Sequence, residues 1–409
     1  MDDVAVPGRP GPAADGHGSP AEVFAAFLKL GVTSFGGPIA HLGYFRDEFV
    51  ARRRWIDEKG YADIVALCQF LPGPASSQVG FALGLLRGGL LGAAAAWIAF
   101  TLPSAFLLVL FAFGATAFGG PVGSGIIHGL KVVAVAVVAQ AVWGMARNLC
   151  PDRERATIAL AAVFFVTFLS GSLGQVSAIT AGGLAGLWLC RAGTHTVSGH
   201  ISFPVSHGAG ALALAVFFGL LFGLPILVTI SSSQGLAVAD AFYRAGSLVF
   251  GGGHVVLPLL EAEVVRPGWV SPDQFLAGYG AAQAVPGPLF TFAAYLGAVL
   301  SPEPNGLIGA CMALLSIFLP GILLLVGVIP FWDSFRAQPG AQATMRGANA
   351  AVVGILGAAL YDPVWTGAIN GPRDFALALT CFVLLMAWKS PAWVVVVIAA
   401  IGGMLIGPA

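Results

Sequence analysis

The chain has 409 residues, 57% of them hydrophobic, and its 56 glycines raise the apolar share to roughly 71%, against about 45 to 50% in an ordinary globular protein. Charged residues make up 9%, with 19 basic balanced by 19 acidic, which excludes a soluble enzyme and gives no bulk attraction to nucleic acid. What remains is an all-α polytopic membrane protein whose glycine and proline content points to closely packed or interrupted helices.

Residues 1–20 are rich in Pro and Gly and hold no apolar stretch, so they read as a disordered tail and not as a signal peptide. Two apolar but broken segments follow: 22–50, interrupted by Gly36-Gly37-Pro38, and 61–86, interrupted by Pro72-Gly73-Pro74. Unbroken stretches of membrane-spanning length come next, at 89–118, 122–146, 156–171, 173–190 and 209–230. Broken segments then return at 237–260, with Gly251-Gly252-Gly253, and at 275–300, with Pro286-Gly287-Pro288. Four unbroken stretches, 305–331, 343–361, 374–388 and 391–407, complete the chain. Cys68, Cys150, Cys190, Cys311 and Cys381 are scattered without metal-site or disulfide spacing and read as small core residues; no cofactor is implied.

The broken segments come in matching pairs. Displaced by about 215 residues, Phe27, Lys29, Gly31, Phe35, Gly36, Gly37 and Glu48 fall on Phe242, Arg244, Gly246, Phe250, Gly251, Gly252 and Glu263. One residue less aligns Trp55, Gln69 and Pro72-Gly73-Pro74 with Trp269, Gln283 and Pro286-Gly287-Pro288. The chain thus divides into a first membrane repeat, 21–191, a linker with one extra transmembrane helix, 192–236, and a second repeat, 237–409. Paired interruptions at corresponding positions of two halves are the signature of transporters.

Charge orients the halves. The loop after the first broken segment holds Arg46, Arg52, Arg53, Arg54 and Lys59, whereas its counterpart holds Arg266 among Glu261, Glu263 and Asp273. By the positive-inside rule the first loop is cytoplasmic and the second external, so the repeats are inverted. Two topologies fit. If the broken segments cross fully, thirteen spans result and the loop cations divide almost evenly. If they dip in and return as re-entrant hairpins, nearly all loop cations fall inside and only Arg266 and Arg373 outside; this version is favoured.

Interrupted backbone at membrane depth must line protein or a water-filled cavity. Glycines admit positive φ, a proline starts the next half-helix, and a half-helix N-terminus with free amides favours an anion. The expected substrate-binding set is therefore Gly36, Gly37, Pro38, Pro72, Gly73, Pro74, Gly251, Gly252, Gly253, Pro286, Gly287 and Pro288, with Ser76, Ser77, Gln78 and Thr291 as hydrogen-bonding side chains. Lys29 and Arg244, both seven residues before their glycine pair, are cations inside apolar segments; they face an anion or snorkel to an interface. Glu48, Glu263, Lys131 and His254 are the coupling candidates, and Lys131 either attracts an anion or pairs with a carboxylate.

Ser34-Phe35-Gly36-Gly37-Pro38, Trp55 and Gln69-Phe70-Leu71-Pro72-Gly73-Pro74, repeated as Phe250-Gly251-Gly252-Gly253-His254 and Gln283-Ala284-Val285-Pro286-Gly287-Pro288, resemble the chromate ion transporter family in its long, two-domain form. The resemblance spans 22–407, with Gly253 departing from the pattern where the first copy has Pro38. It implies a multi-pass carrier of the bacterial inner membrane that extrudes chromate, confers chromate resistance and draws on the membrane potential or the proton gradient. Sulfate and protons are the further candidate partners, the lipid bilayer the surroundings, and a homodimer the candidate assembly. A carrier for sulfate or another oxyanion, and an anion channel, are the alternatives. No hydrolase or zinc-protease motif occurs, which weighs against an intramembrane enzyme.

Overall fold

A computed structural model describes residues 18–115, 120–169, 171–191, 203–336 and 338–407; residues 1–17 of the expected tail and 192–202 of the expected linker lie outside them. The first repeat comprises α1 (Pro20–Thr33), α2 (Gly37–Phe45), α3 (Glu58–Phe70), α4 (Ala75–Ala115), α5 (Gly120–Leu149), α6 (Arg153–Phe168) and α7 (Ser172–Leu189). After α8 (His207–Ser231) the second repeat runs α9 (Gln234–Ser247), α10 (Val256–Leu260), α11 (Pro272–Ala282), α12 (Phe292–Val299), α13 (Gly306–Val328), α14 (Trp332–Arg336), α15 (Pro339–Ala359), α16 (Thr366–Ala368), α17 (Pro372–Met386) and α18 (Ala392–Ile406).

All four broken segments are re-entrant hairpins. Lys29 Nζ reaches Glu48 Oε2 at 3.4 Å and the Phe27 ring stacks on Phe49 at 4.7 Å, so α1 and α2 fold back on each other. A continuous helix would hold residues nineteen apart at about 28 Å. Arg244 and Glu263, also nineteen apart, meet at 2.8 Å and make α9 and α10 the same motif. In the second hairpin the Arg87 guanidinium lies 5.4 Å from the Trp55 ring, joining the end of one arm to the start of the other. In the fourth, the Ser301 amide donates to the Trp269 carbonyl at 2.8 Å. Thirteen straight spans are thereby set aside.

Each hairpin pair leads into a long helix by a sharp reversal. Within α4 the helix is broken at Gly88 and Gly89, the latter at φ +63, so that residues 75–87 form the hairpin arm and 90–115 the crossing helix. The two segments pack so closely that Gly84 lies against the Gly92 carbonyl, and Gly297 against that of Gly309 in the second repeat. Among the described residues five stretches are long and apolar enough to cross a membrane, in α4, α5, α8, α13 and α15. Of the stretches expected as full spans, α6, α7, α17 and α18 are shorter, at 16, 18, 15 and 15 residues. That is about 22 to 27 Å against a hydrocarbon core near 30 Å. These four do not stand alone in lipid: they form antiparallel pairs laid against a long helix.

The long helix comes from the other repeat. On α5, Gly125 and Gly129 sit against Gly403 and Ala399 of α18; on α15, Gly347 sits against Gly182 and Gly186 of α7. Gly129 and Gly347 are repeat counterparts, as are Gly186 and Gly403, so one close backbone contact occurs twice. The buried His128–Asp374 pair, 2.7 Å, also joins α5 to α17. The repeats are intertwined, each lending its middle helix to the other's terminal pair.

Five successive crossings, by α4, α5, α6, α7 and α8, separate the mouth of the first hairpin pair from that of the second and put them on opposite faces. Contacts between the repeats agree: Asp63 near the first mouth binds Arg336 at the end of α14 at 2.9 Å, while Gly171 of the α6–α7 turn adjoins Arg266 near the second mouth. Arg46, Arg52, Arg53, Arg54, Lys59, Arg87, Arg147, Arg153, Arg155, Arg191, Arg336 and Lys389 therefore share one face, and Arg266 and Arg373 lie on the other. By the positive-inside rule the crowded face is cytoplasmic.

Candidate functional site

The tips of the four hairpins meet, because each Pro-Gly-Pro turn spends its single amide on the opposite repeat. Gly73 N–H donates to the Val249 carbonyl at 2.7 Å, and Gly287 N–H to the Ser34 carbonyl at 2.9 Å. Ser34 and Val249 are repeat counterparts, as are Gly73 and Gly287, so the two bonds are related by the internal symmetry. Both glycines need positive φ, +119 and +96, which only glycine adopts without strain. The flanking prolines have no N–H of their own to leave unsatisfied.

A cavity of about 430 Å³ opens beside this junction and extends to the α17–α18 turn on the arginine-rich face. The first hairpin contributes Phe35, Gly36, Gly37, Pro38, Ala40 and Tyr44; the second repeat contributes His254, Gln283, Gly287 and Leu289; α5 adds Val137 and Gln140. Lys389, Ser390 and Pro391 form the rim. Gly36 at φ +102 starts α2 without a side-chain cap, which leaves the Gly37 and Ile39 amides of the first turn without a partner inside the helix, Pro38 having no N–H. Gln283 Nε2 is buried without a hydrogen-bond partner. Lys389, held at φ +52, pairs with no carboxylate among the described residues. Amides at a helix N-terminus, the Gln283 side-chain amide and the Lys389 ammonium are donors of the kind that a small anion takes. Among the described residues no group of His, Cys, Asp or Glu is placed to hold a metal ion.

A family model described as "Chromate transporter" matches the chain twice, over residues 21–187 and 236–404. The chain belongs to the chromate transporter family. It is a multi-pass membrane transporter and not an enzyme. A chromate transport protein of Pseudomonas aeruginosa is 30% identical over 406 residues, 95% of this chain and 92% of that one. A probable chromate transport protein of Synechococcus elongatus is 28% identical over 387 residues, 93% of each, and a chromate transport protein of Cupriavidus metallidurans is 25% identical over 389 residues, 93% and 92%. No solved structure matches.

Within this chromate transporter the residues expected at the substrate separate into three groups. Gly36, Gly37, Pro38 and Gly287 line the cavity together with the coupling candidate His254, and Gly253 packs beside Pro38. Pro72, Gly73, Pro74, Ser76, Ser77, Gln78, Pro286, Pro288 and Thr291 build the junction behind it. Gln78 Nε2 donates to the Pro72 and Gly321 carbonyls at 3.1 and 2.9 Å, Thr291 Oγ1 to the Pro288 carbonyl at 2.8 Å, and Ser76 Oγ lies 3.4 Å from His41. Gly251 and Gly252 lie apart from the cavity lining, Gly251 against Leu149, Met145 and Asn349.

Lys29 and Arg244, expected beside the anion, do not line the cavity. They are the partners of the other matched pair: Glu48 receives Lys29, Arg52 and Arg53, and Glu263 shares Arg244 with Asp240. Lys131, of the two readings open to it, makes an ion pair with Asp273 at 2.7 Å. His254 Nδ1 lies 2.8 Å from the Tyr279 hydroxyl. The lining also holds Lys389, Gln140, Gln283 and Tyr44, none of them in the set expected from the sequence. Gln140 is a lone amide in a run of Val and Ala, and Lys389 reads from the sequence as a topology charge.

Proposed function

We propose that this chain carries chromate out of the cytoplasm across the bacterial inner membrane, driven by the membrane potential or the proton gradient, and thereby confers chromate resistance. The observation that supports it most directly is the cavity on the arginine-rich face, where the uncapped start of α2 and the unpaired Lys389 present donors and positive charge to a small anion. The names of the relatives supply the choice of chromate. Chromate is a tetrahedral dianion, and moving it from a negative interior to the outside is electrically downhill by about 2.3 kcal/mol per charge per 100 mV. The membrane potential therefore assists export without any coupled ion.

In this proposal the dianion rests against Gly36, Gly37 and Gly287, with Gln283, Gln140 and His254 around it and Lys389 at the entrance. The junction residues Pro72, Gly73, Pro74, Ser76, Ser77, Gln78, Pro286, Pro288 and Thr291 fix the tips, and Lys29 and Arg244 lock their hairpins through Glu48 and Glu263. Rocking of the inverted repeats then exposes the site alternately to the two sides.

Everted membrane vesicles expose the cytoplasmic face. Labelled chromate is expected to enter them saturably, faster when respiration makes the interior positive, and sulfate to compete. Uptake no greater than in vesicles lacking the protein rejects the reading. Competition by sulfate at lower concentration than chromate reassigns the carrier to sulfate, and flux that rises linearly without saturation points to a channel.

A further inference from the structure

Inverted repeats alternate by trading conformations, so the cavity that faces the cytoplasm is replaced by one lined by the repeat counterparts of its residues. The glycines and Gln283 have equivalents in Gly251, Gly252, Gly73 and Gln69. The polar and charged side chains around them do not. Gln140 corresponds to Ala358 and His254 to Ile39, and Gly171 and Ser172, which align with Lys389, are not cations; the Arg266 guanidinium that adjoins Gly171 is spent on Glu261 at 3.5 Å.

We infer that the two alternating cavities differ in kind: the cytoplasmic one binds the dianion through Lys389 and Gln140, and the external one offers backbone amides with no ammonium and so binds it weakly. This rests on the proposed function and assigns Lys389 as the residue that sets affinity on one side alone. A charge-assisted hydrogen bond to a doubly charged oxyanion is among the stronger polar contacts available. Losing it during the conformational change turns a loading site into a releasing one. The asymmetry fixes the concentration at which each face saturates. It leaves the end-point of transport to the gradient and the potential, as a carrier's two states must.

The test measures chromate KM on both faces, with everted vesicles for the cytoplasmic side and right-side-out vesicles for the external side. Wild type is expected to show the lower KM on the cytoplasmic face. Lys389→Gln is expected to raise that KM about tenfold and leave the external KM within twofold, while Lys389→Arg stays near wild type. Gln140→Ala, which installs the residue the second repeat already carries, is expected to shift the same face several-fold and serves where Lys389→Gln does not reach the membrane. An unchanged cytoplasmic KM in both variants, or an equal rise on both faces, overturns the inference. Wild-type vesicles that take up chromate normally while the variants show no such shift leave the proposed function standing and remove only this assignment; absence of wild-type uptake removes the proposed function itself.

Discussion

At the residue scale the informative positions are glycines whose backbone no other residue reproduces. A methyl group on Gly73 would stand 3.1 Å from the Gly321 Cα and one on Gly287 2.9 Å from Ser104 Oγ, each on a backbone already at positive φ. Gly73→Ala and Gly287→Ala are each expected to cost about 1 to 3 kcal/mol and to lower the melting temperature of the detergent-solubilised protein. Gly43→Ala, where the space is open and the backbone helical, is expected to melt at or above wild type. Equal melting of all three variants would show that the tips are not held as described. These glycines were legible in the sequence because a Pro-Gly-Pro turn inside an apolar segment has few structural outlets. Lys389 was not, since its distance from Gly36 along the chain gives no hint that the α17–α18 turn closes over the first hairpin.

At the element scale the ion pairs explain why short, polar-ended hairpins survive within the membrane. Their two copies are built differently. Glu48 is 7% exposed and serves three cations, whereas Arg244 serves two carboxylates that are 10% and 11% exposed. Removing the shared member of a buried group strands the others, a loss of about 3 to 5 kcal/mol, while removing one of several partners costs far less. Arg244→Met, which strands two buried carboxylates, is therefore expected to fall sharply in membrane abundance and thermal stability, Glu48→Gln, whose cations are 27 to 62% exposed, to lose less, and Lys29→Met, at a position half exposed, to remain close to wild type. A Lys29→Met variant as unstable as Arg244→Met would refute this ordering. From the sequence both matched pairs could be recognised, cation with cation and glutamate with glutamate. That they bind each other was hidden, because it follows only once the broken segments fold back and residues nineteen apart become neighbours.

At the scale of the whole molecule, the repeat and its inversion were readable from sequence periodicity and charge. The exchange of α5 and α15 between the terminal helix pairs was not, since neighbouring glycines in a sequence do not name the backbone they will face. One expectation follows from that exchange. If the gene is divided so that residues 1–195 and 196–409 are made as separate chains, each alone leaves a glycine-lined helix face uncovered and is expected to be degraded. Made together they are expected to purify as a stable pair. Stable accumulation of either half by itself would contradict the intertwined packing.

The crossed bonds at the hairpin tips carry a mechanical meaning. An operation that interchanges the two repeats turns the Gly73-to-Val249 bond into the Gly287-to-Ser34 bond and the reverse. The pair is therefore the same before and after any motion in which the halves swap roles. In the proposed rocking it would act as an axle, a part of the machine that need not come undone for what surrounds it to turn.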